Sequence, residues 1–313
     1  MKKTESFLTI FERYLPNNSY KDSFYKAYIE TKNAGLLDKD FLAQCVVSVD
    51  RFKDRLTEII IAHRAFHRFG NACMSQDIGP DLRINFEGKT INIESIRSSN
   101  EIKEVLGNFK VYEYDIDGKS KVYNTKDFYI DSNNFNIYAG SAIFNKTKVY
   151  NNYLTKKIIT ENDLNIICFN IGFYKKIDNN LINELKRFFY GMPYTILGET
   201  TPKGITAEIE YRPVNFTKEI TNEDGSKELR IVEGAVFLNG PTIDTYKNID
   251  GVIIIEHENI SHEQRKLKGL FFQNRNRPEV PKDFIKELGI DHYDNVDPEH
   301  YSISMTQKTG YVH

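Results

Sequence analysis

The chain of 313 residues has no tryptophan and only three cysteines. Cys45, Cys73 and Cys168 lie far apart in the sequence and form no CxxC pair. This odd number and wide spacing disfavour a disulfide scaffold and a cysteine-rich zinc site, and they are typical of a protein from a reducing compartment.

The sequence also lacks an excess of either charge. It has 42 Lys and Arg against 44 Asp and Glu, which gives a formal net charge of −2. This balance excludes a generally basic nucleic-acid-binding protein, although it permits a locally basic groove. Because 40% of the residues are hydrophobic and 27% are charged, we predict a folded globular protein.

Long apolar runs are missing as well. No stretch approaches the roughly 18 apolar residues of a membrane-spanning helix, so we expect no membrane association. The N-terminal segment has two lysines but lacks the apolar region of a secretory signal. We therefore expect a cytoplasmic location.

The first part of the chain has helical periodicity. Residues 5–37 predict two helices that are interrupted around Pro16, because proline disfavours helix in the residue before it. Residues 40–69 predict one long helix, since apolar side chains recur every three or four residues and Gly70 follows the last turn.

A β-hairpin is predicted next. Apolar and polar residues alternate in 82–87 and 90–95, and Glu87-Gly88-Lys89 between them has the composition of a tight turn. Residues 97–138 are polar, and we interpret them as an insertion. It is predicted to hold one helix, near residues 101–106, and one or two strands, near residues 110–114 and 128–130.

Helices and strands alternate in the remainder. Residues 164–171 and 251–256 are short, almost continuous apolar runs, as in strands that are buried on both faces. The other predicted elements are helices at 140–153, 181–190 and 283–288 and strands at 205–211 and 229–238.

This order predicts an α/β fold with a mixed central sheet flanked by helices. We divide the chain into a helical N-terminal addition (1–40), a core (41–175) that contains the insertion, and an extended C-terminal half (176–313) packed on the same domain.

Two carboxylates fall at the open end of the predicted hairpin. Asp81 begins the first strand and Glu94 lies near the end of the second, and a tight turn brings these two ends side by side. Carboxylate oxygens are ligands that suit Mg²⁺ or Mn²⁺. Such a metal can lower the pKa of a bound water and stabilise charge on a phosphoryl group.

Over residues 41–172 the chain resembles the PD-(D/E)XK nuclease superfamily, through Pro80-Asp81 and Glu94 on a hairpin. The resemblance implies a restriction-endonuclease-like core and metal-dependent hydrolysis of DNA, with RNA left open as a substrate. The superfamily normally has a lysine two residues after the second acid, where this chain has Ile96. Some members carry the lysine on the following helix, which implies Lys146 here. Its ammonium is then expected within about 5 Å of the Asp81 or Glu94 carboxylate, where the Coulomb interaction is strong.

The recombination-exonuclease branch of the superfamily implies two further residues. It carries a polar residue and a tyrosine four apart on that helix, which is the spacing of Lys146 and Tyr150. Tyr150 is thus predicted to support the lysine or touch a phosphate, with core packing as the alternative. The branch often adds an acid from the helix before the hairpin. Glu58 is the candidate for this third metal ligand, and its alternative is a partner for Arg55.

A narrower resemblance is to a group of bacterial proteins of unassigned function. It rests on Gly79-Pro80-Asp81, on Asn92-Ile93-Glu94, on Ser141-Ala142-Ile143 before Lys146, and on an Asn- and Pro-rich segment at 274–281. It indicates a fold more than an activity, because folds do not dictate function. The alternative function is therefore a nuclease-like module without cleavage activity that binds or regulates, for example in a bacterial defence system. The isoleucine at the usual lysine position favours this alternative.

A basic stretch near the C-terminus is the candidate nucleic-acid surface. Phe271 and Phe272 are interleaved with its cations, and aromatic rings among cations can line a nucleic-acid groove, although a solvated surface is the alternative. The sequence indicates no oligomeric state. The basic residues are Arg265, Lys266, Lys268, Arg275 and Arg277.

One further pair has a metal-binding spacing. His63 and His67 lie four residues apart in the long predicted helix, which is a spacing that can hold zinc. The sequence provides no evident third ligand, so we predict structural histidines.

Overall fold

The computed structural model describes residues 6–16, 18–75, 78–97, 110–114, 120–124, 130–171, 179–201, 204–212, 215–221, 225–233, 237, 243–256 and 267–294.

Two short helices open the described chain, as predicted. Helix α1 spans Phe7–Tyr14 and helix α2 spans Lys21–Asn33. The hydroxyl of Ser6 accepts a hydrogen bond from the backbone N–H of Thr9, which caps the first helix.

The long helix predicted over 40–69 is wrong as a single element. It consists of α3 (Phe41–Cys45) and α4 (Val49–Phe69). Between them the hydroxyl of Ser48 accepts a hydrogen bond of 3.1 Å from the backbone N–H of Arg51, so a new helix starts there. Gly70 ends α4 with φ of 54°, as its position predicts.

The predicted hairpin is confirmed. After a 3₁₀ turn and a two-residue strand β1 (Cys73–Met74), strands β2 (Leu82–Phe86) and β3 (Lys89–Arg97) pair in antiparallel register. The connecting residues Glu87 and Gly88 both have positive φ, 48° and 77°, as a two-residue hairpin turn requires.

The insertion differs in part from its prediction. Strand β4 (Lys110–Tyr114) lies where expected and pairs with β5 (Ser120–Asn124). The strand predicted at 128–130 is wrong at Ile130, which begins helix α5 (Ile130–Thr155). The helix predicted near 101–106 lies outside the described residues.

Helix α5 includes the predicted helix at 140–153 but starts ten residues earlier. The predicted elements at 164–171, 181–190, 205–211, 229–238, 251–256 and 283–288 each correspond to an observed helix or strand. The remaining elements are β6 (Leu164–Asn170), α6 (Asn179–Tyr190), β7 (Met192–Thr201), β8 (Gly204–Arg212), β9 (Asn215–Thr221), β10 (Lys227–Glu233), α7 (Ile243–Tyr246), β11 (Gly251–Ile255), β12 (Leu267–Gln273), α8 (Lys282–Glu287) and β13 (Ile290–Asp294). Strands β1, β5, β7, β9, β12 and β13 were not predicted.

A seven-stranded mixed sheet forms the centre, in the order β1-β2-β3-β6-β11-β12-β13. Strands β3, β6 and β11 are parallel to one another, and β2 and β12 run antiparallel to them. Every residue of β6 and β11 is buried, as their continuous apolar sequences predict. Strands β7 and β8 pair with each other, as do β9 and β10, and neither pair joins this sheet.

Helices cover both faces of the sheet. One face packs against α1 to α4 and α8, with Phe11 and Phe52 among the buried side chains. The other face packs against α5, α6 and α7, with Ile143 and Leu185 buried between them. The predicted α/β class with a mixed, helix-flanked sheet is therefore confirmed.

Two further features bear on the sequence analysis. Strands β11 to β13 come from the predicted C-terminal half, so that half contributes three strands to the central sheet. Among the described helices, none combines the length and the apolar composition needed to cross a bilayer.

Candidate active site

Three of the predicted site residues, Asp81, Glu94 and Lys146, lie near one edge of the central sheet. Strands β3 and β6 are parallel, and their carboxyl ends lie there. The side chain of Asn170, at the end of β6, donates a hydrogen bond of 3.1 Å to the hydroxyl of Thr57 and so fixes α4 at this edge. Ligand sites in open α/β sheets commonly lie at the carboxyl ends of parallel strands.

Asp81 is held by the end of the neighbouring strand. Its Oδ2 accepts hydrogen bonds of 2.7 Å from both the backbone N–H and the hydroxyl of Ser95. Among the described residues, both hydrogen bonds of this carboxylate end on Oδ2, which leaves Oδ1 available for a ligand. The position of the carboxylate is thus set by β3 as well as by its own strand.

Glu94 is buried and pairs directly with the predicted lysine. Its side chain is 3% exposed, and its Oε2 accepts a hydrogen bond of 2.5 Å from Nζ of Lys146, whose side chain is 21% exposed. The expected closeness of this ammonium to an acid of the site is therefore confirmed. Lys146 is thus the more exposed member of this ion pair.

A tyrosine that the sequence analysis missed completes the surroundings of Glu94. The hydroxyl of Tyr153 lies 3.0 Å from Oε1 of Glu94 and donates to the backbone carbonyl of Gly79 at 2.6 Å. Tyr153 follows Lys146 by seven residues, which is two helical turns to within about 20°, so both side chains leave the same face of α5. This spacing is the signal that could have identified it.

Tyr150 does not take the predicted role. Its side chain is fully buried, and its hydroxyl donates to the backbone carbonyls of Ile166 at 2.7 Å and Asn92 at 3.1 Å. A hydroxyl held between two strands cannot touch a phosphate, so the core-packing alternative is the one observed. Burial, followed by the nearby acids, raises its pKa well above the ordinary value.

Glu58 faces this edge from α4 but is paired with an arginine. Its Oε2 accepts a hydrogen bond of 2.6 Å from Nη1 of Arg55, which is the alternative that the sequence left open. Burial and then the charge of Asp81 raise the pKa of Glu58 well above its ordinary value, against the opposing effect of Arg55 and Lys146. The predicted third acid is therefore electrostatically part of the site.

The acids and the lysine act on one another through charge. Burial first, and then the Asp81 carboxylate, raise the pKa of Glu94 to about 7, although Lys146 opposes the rise. Burial disfavours the charged form of Lys146, but Asp81 and Glu94 outweigh it and raise its pKa above the ordinary value. The lysine is thus held as the cation of the pair, whereas the buried Glu94 binds a proton more readily than an exposed glutamate does.

The residue at the usual lysine position, Ile96, packs against the core, and the lysine beside Glu94 comes from helix α5 instead. Alternate residues of a strand point to the same face, so Ile96 and Glu94 share one face of β3. Ile96 packs against the hydrophobic cluster that includes Ile143 of α5. Helix α5 therefore covers this face, and Lys146 reaches Glu94 from it.

Two of the five predicted nucleic-acid-binding residues make contacts within the protein. Arg277 donates from Nε to Oδ1 of the buried Asp250 at 2.9 Å, and the Arg275 guanidinium lies 4.1 Å from the ring centroid of Tyr190. Both contacts stabilise the loop after β12. Lys268 belongs to β12, and Arg265 and Lys266 lie outside the described residues.

Phe271 and Phe272 do not line a groove. Both are fully buried in the sheet, one on each face, because their stretch forms a strand with a neighbour on either side and not a surface loop.

The donor set at the sheet edge fits a divalent oxygen-binding cation in part. Asp81 and Glu94 offer carboxylate oxygens, which Mg²⁺ and Mn²⁺ prefer. Glu58 is not a close third ligand, because its carboxylate is paired with Arg55. Among the described residues, the one group of three whose ligand atoms all lie within 4.8 Å of one another is Glu30, His63 and His67, elsewhere on α2 and α4.

Comparisons of the chain with protein-family models, with curated proteins and with solved structures found no match.

Proposed function

We propose that the chain is a metal-dependent nuclease that hydrolyses phosphodiester bonds of DNA, with its active site at Asp81, Glu94 and Lys146. The observation that carries the proposal is the contact of 2.5 Å between Lys146 and the buried Glu94 at the carboxyl edge of the sheet. Lys146 of α5 supplies at this edge the positive charge that Ile96 of β3 cannot supply.

Each residue has a role that follows from its contacts. Asp81 and Glu94 would hold Mg²⁺ or Mn²⁺, which when bound lowers the pKa of a water and offsets negative charge on the phosphate. Lys146, partly exposed beside Glu94, can orient the attacking water or stabilise charge on the phosphoryl oxygens. Tyr153 positions Glu94 through its hydroxyl.

Glu58 has a secondary role in this proposal. Because Arg55 already binds it, it acts on the site through its charge or through a water, rather than as a direct metal ligand. The net charge of −2 gives no general attraction to DNA, so contacts to phosphates must be local.

The test is nicking of supercoiled DNA with Mg²⁺ or Mn²⁺, with the wild type compared with Glu94→Gln and Lys146→Ala. Lys148→Ala is the matched control, because Lys148 is an exposed lysine on the same helix whose Nζ lies 4.2 Å from the ring centroid of Phe144. Loss of nicking in the first two variants but not in the control supports the proposal. Equal nicking by the wild type and Glu94→Gln would contradict it.

A second candidate is a nuclease-like module that binds or regulates without cleaving. It is favoured by the two ion pairs, Lys146 with Glu94 and Arg55 with Glu58. In each pair a side-chain cation already neutralises the acid, so no metal ion is needed for that purpose. A wild type that binds DNA but does not nick it with either metal would support this candidate.

A further inference from the structure

Two histidines and a glutamate converge on one point between α2 and α4. His63 and His67 lie four residues apart on α4, so their side chains share a face. Both Nε2 atoms lie 2.8 Å from the same oxygen, Oε2 of Glu30 on α2, and 3.1 Å from each other. The third residue that the sequence did not reveal is thus supplied by a neighbouring helix.

These separations match the first coordination shell of a small metal ion. Zinc binds imidazole nitrogen and carboxylate oxygen at 2.0–2.2 Å, so neighbouring ligands of tetrahedral zinc lie about 3.3 Å apart. The three observed separations of 2.8, 2.8 and 3.1 Å are slightly shorter than that edge. A small outward adjustment of the side chains would therefore place all three atoms at bonding distance from one ion.

Hydrogen bonds between the three atoms satisfy this arrangement poorly. If both nitrogens donate to an ionised Glu30, their two N–H groups face each other at 3.1 Å. If Glu30 is ionised and either nitrogen lacks its proton, the nitrogen lone pair faces the carboxylate oxygen at 2.8 Å. One cation between the three atoms would accept a lone pair from each and remove both conflicts.

The exposures of the three side chains suit an ion that is held between the helices and can still exchange with solvent. The side chain of His63 is 8% exposed, Glu30 29% and His67 45%. The cluster is therefore anchored in the interface between the helices and opens to solvent at His67. An ion can enter from that side, and water can take a fourth position.

The cluster is separate from the active site proposed above. His63 follows Glu58 by five residues, which is about 140° around α4, so the two side chains point in different directions. The donor types differ as well, because two imidazoles with one carboxylate suit zinc, whereas carboxylates alone suit Mg²⁺.

We propose that Glu30, His63 and His67 form a site for a divalent transition metal, most suitably Zn²⁺, that clamps α2 to α4. The site is independent of nuclease activity. Binding to the folded chain stabilises it, because the unfolded chain does not hold these three ligands together.

The experiment is calorimetric titration of the full chain with Zn²⁺ after chelator treatment, in an Asp81→Asn, Glu94→Gln background that removes the other candidate ligands. We expect one Zn²⁺ per chain, and we expect Mg²⁺ not to compete. Adding His67→Ala or Glu30→Gln should weaken binding about tenfold or more, since even loss of residues that only support a metal ligand costs 10- to 100-fold. His292→Ala, which removes a histidine of β13, is the matched control and should bind as the background does.

Thermal unfolding provides a second measurement. In the same Asp81→Asn, Glu94→Gln background, Zn²⁺ should raise the melting temperature of the protein and of its His292→Ala variant, but not of its His67→Ala variant, each compared with its own metal-free melting temperature. Absence of Zn²⁺ binding by the background protein, or equal binding by His67→Ala, would overturn the proposal.

Discussion

Nζ of Lys146 lies 2.5 Å from Oε2 of Glu94, although 52 residues separate them in the sequence. The contact joins the end of β3 to the helix that covers it. It places a cation beside a buried carboxylate at the edge where Asp81 is also held. This relationship has consequences that can be measured.

The first prediction concerns the lysine. Lys146→Ala should reduce metal-dependent nicking of DNA about 100-fold, because removal of one preorganised group that stabilises transition-state charge costs 10²–10³ in rate. Mn²⁺ binding, compared above the pH at which both affinities level off, should change much less, since the ammonium is not a metal ligand. Nicking assays and calorimetry measure the two effects.

The exposed Lys148 provides the matched control for this prediction. Lys148→Ala should leave both nicking and Mn²⁺ affinity unchanged. If Lys146→Ala lowered both by the same factor, the lysine would only support the structure of the site.

The second prediction concerns pH. Because the pKa of Glu94 is about 7, a proton competes with metal for this carboxylate below that pH. Mn²⁺ affinity should therefore rise by up to about tenfold per pH unit as the pH increases toward 7, and then level off. Lys146 favours the ionised form of Glu94, so Lys146→Ala should move the levelling-off to higher pH. Calorimetry over this range measures both, and a pH-independent affinity in the wild type would contradict the role of Glu94.

The third prediction separates two tyrosines of α5. Tyr150→Phe removes a buried hydroxyl that bonds two backbone carbonyls, so it should lower the free energy of unfolding by about 1–2 kcal/mol. Its nicking rate per folded molecule should stay near that of the wild type. Tyr153→Phe removes a hydrogen bond to Glu94 and should alter the pH dependence of Mn²⁺ affinity. Urea unfolding and calorimetry distinguish them, and the reverse pattern would restore the predicted role of Tyr150.

The fourth prediction concerns the basic stretch. Arg277→Ala leaves the buried carboxylate of Asp250 without its guanidinium partner, so the free energy of unfolding should fall by about 3 kcal/mol. If Arg277 acts only in the structure, the salt dependence of DNA binding by the folded variant should match that of the wild type. A smaller salt dependence would instead show that Arg277 contacts phosphate.

Much of the fold follows from local sequence. The hairpin is predicted by strict alternation around Glu87 and Gly88, and the buried strands β6 and β11 are predicted by their continuous apolar residues. The break between α3 and α4 was missed, although Ser48 is a local capping signal, because the apolar spacing continues across it. Strand β12 was missed because its single lysine, Lys268, and the basic residues that flank the strand suggested a surface.

The sequence by itself determined the α/β class and brought Asp81 and Glu94 to one end of a hairpin, because a two-residue turn fixes which residues of the two strands are neighbours. Tertiary structure decided which side chains join them. Helical spacing left both Tyr150 and Tyr153 near Lys146, and only the packing of α5 on the sheet sent one hydroxyl between two strands and the other to Glu94. In the same way, the spacing of His63 and His67 was visible in the sequence, but Glu30 reaches them only because α2 packs beside α4. Such contacts depend on how elements distant in sequence pack together, and local periodicity does not contain that information.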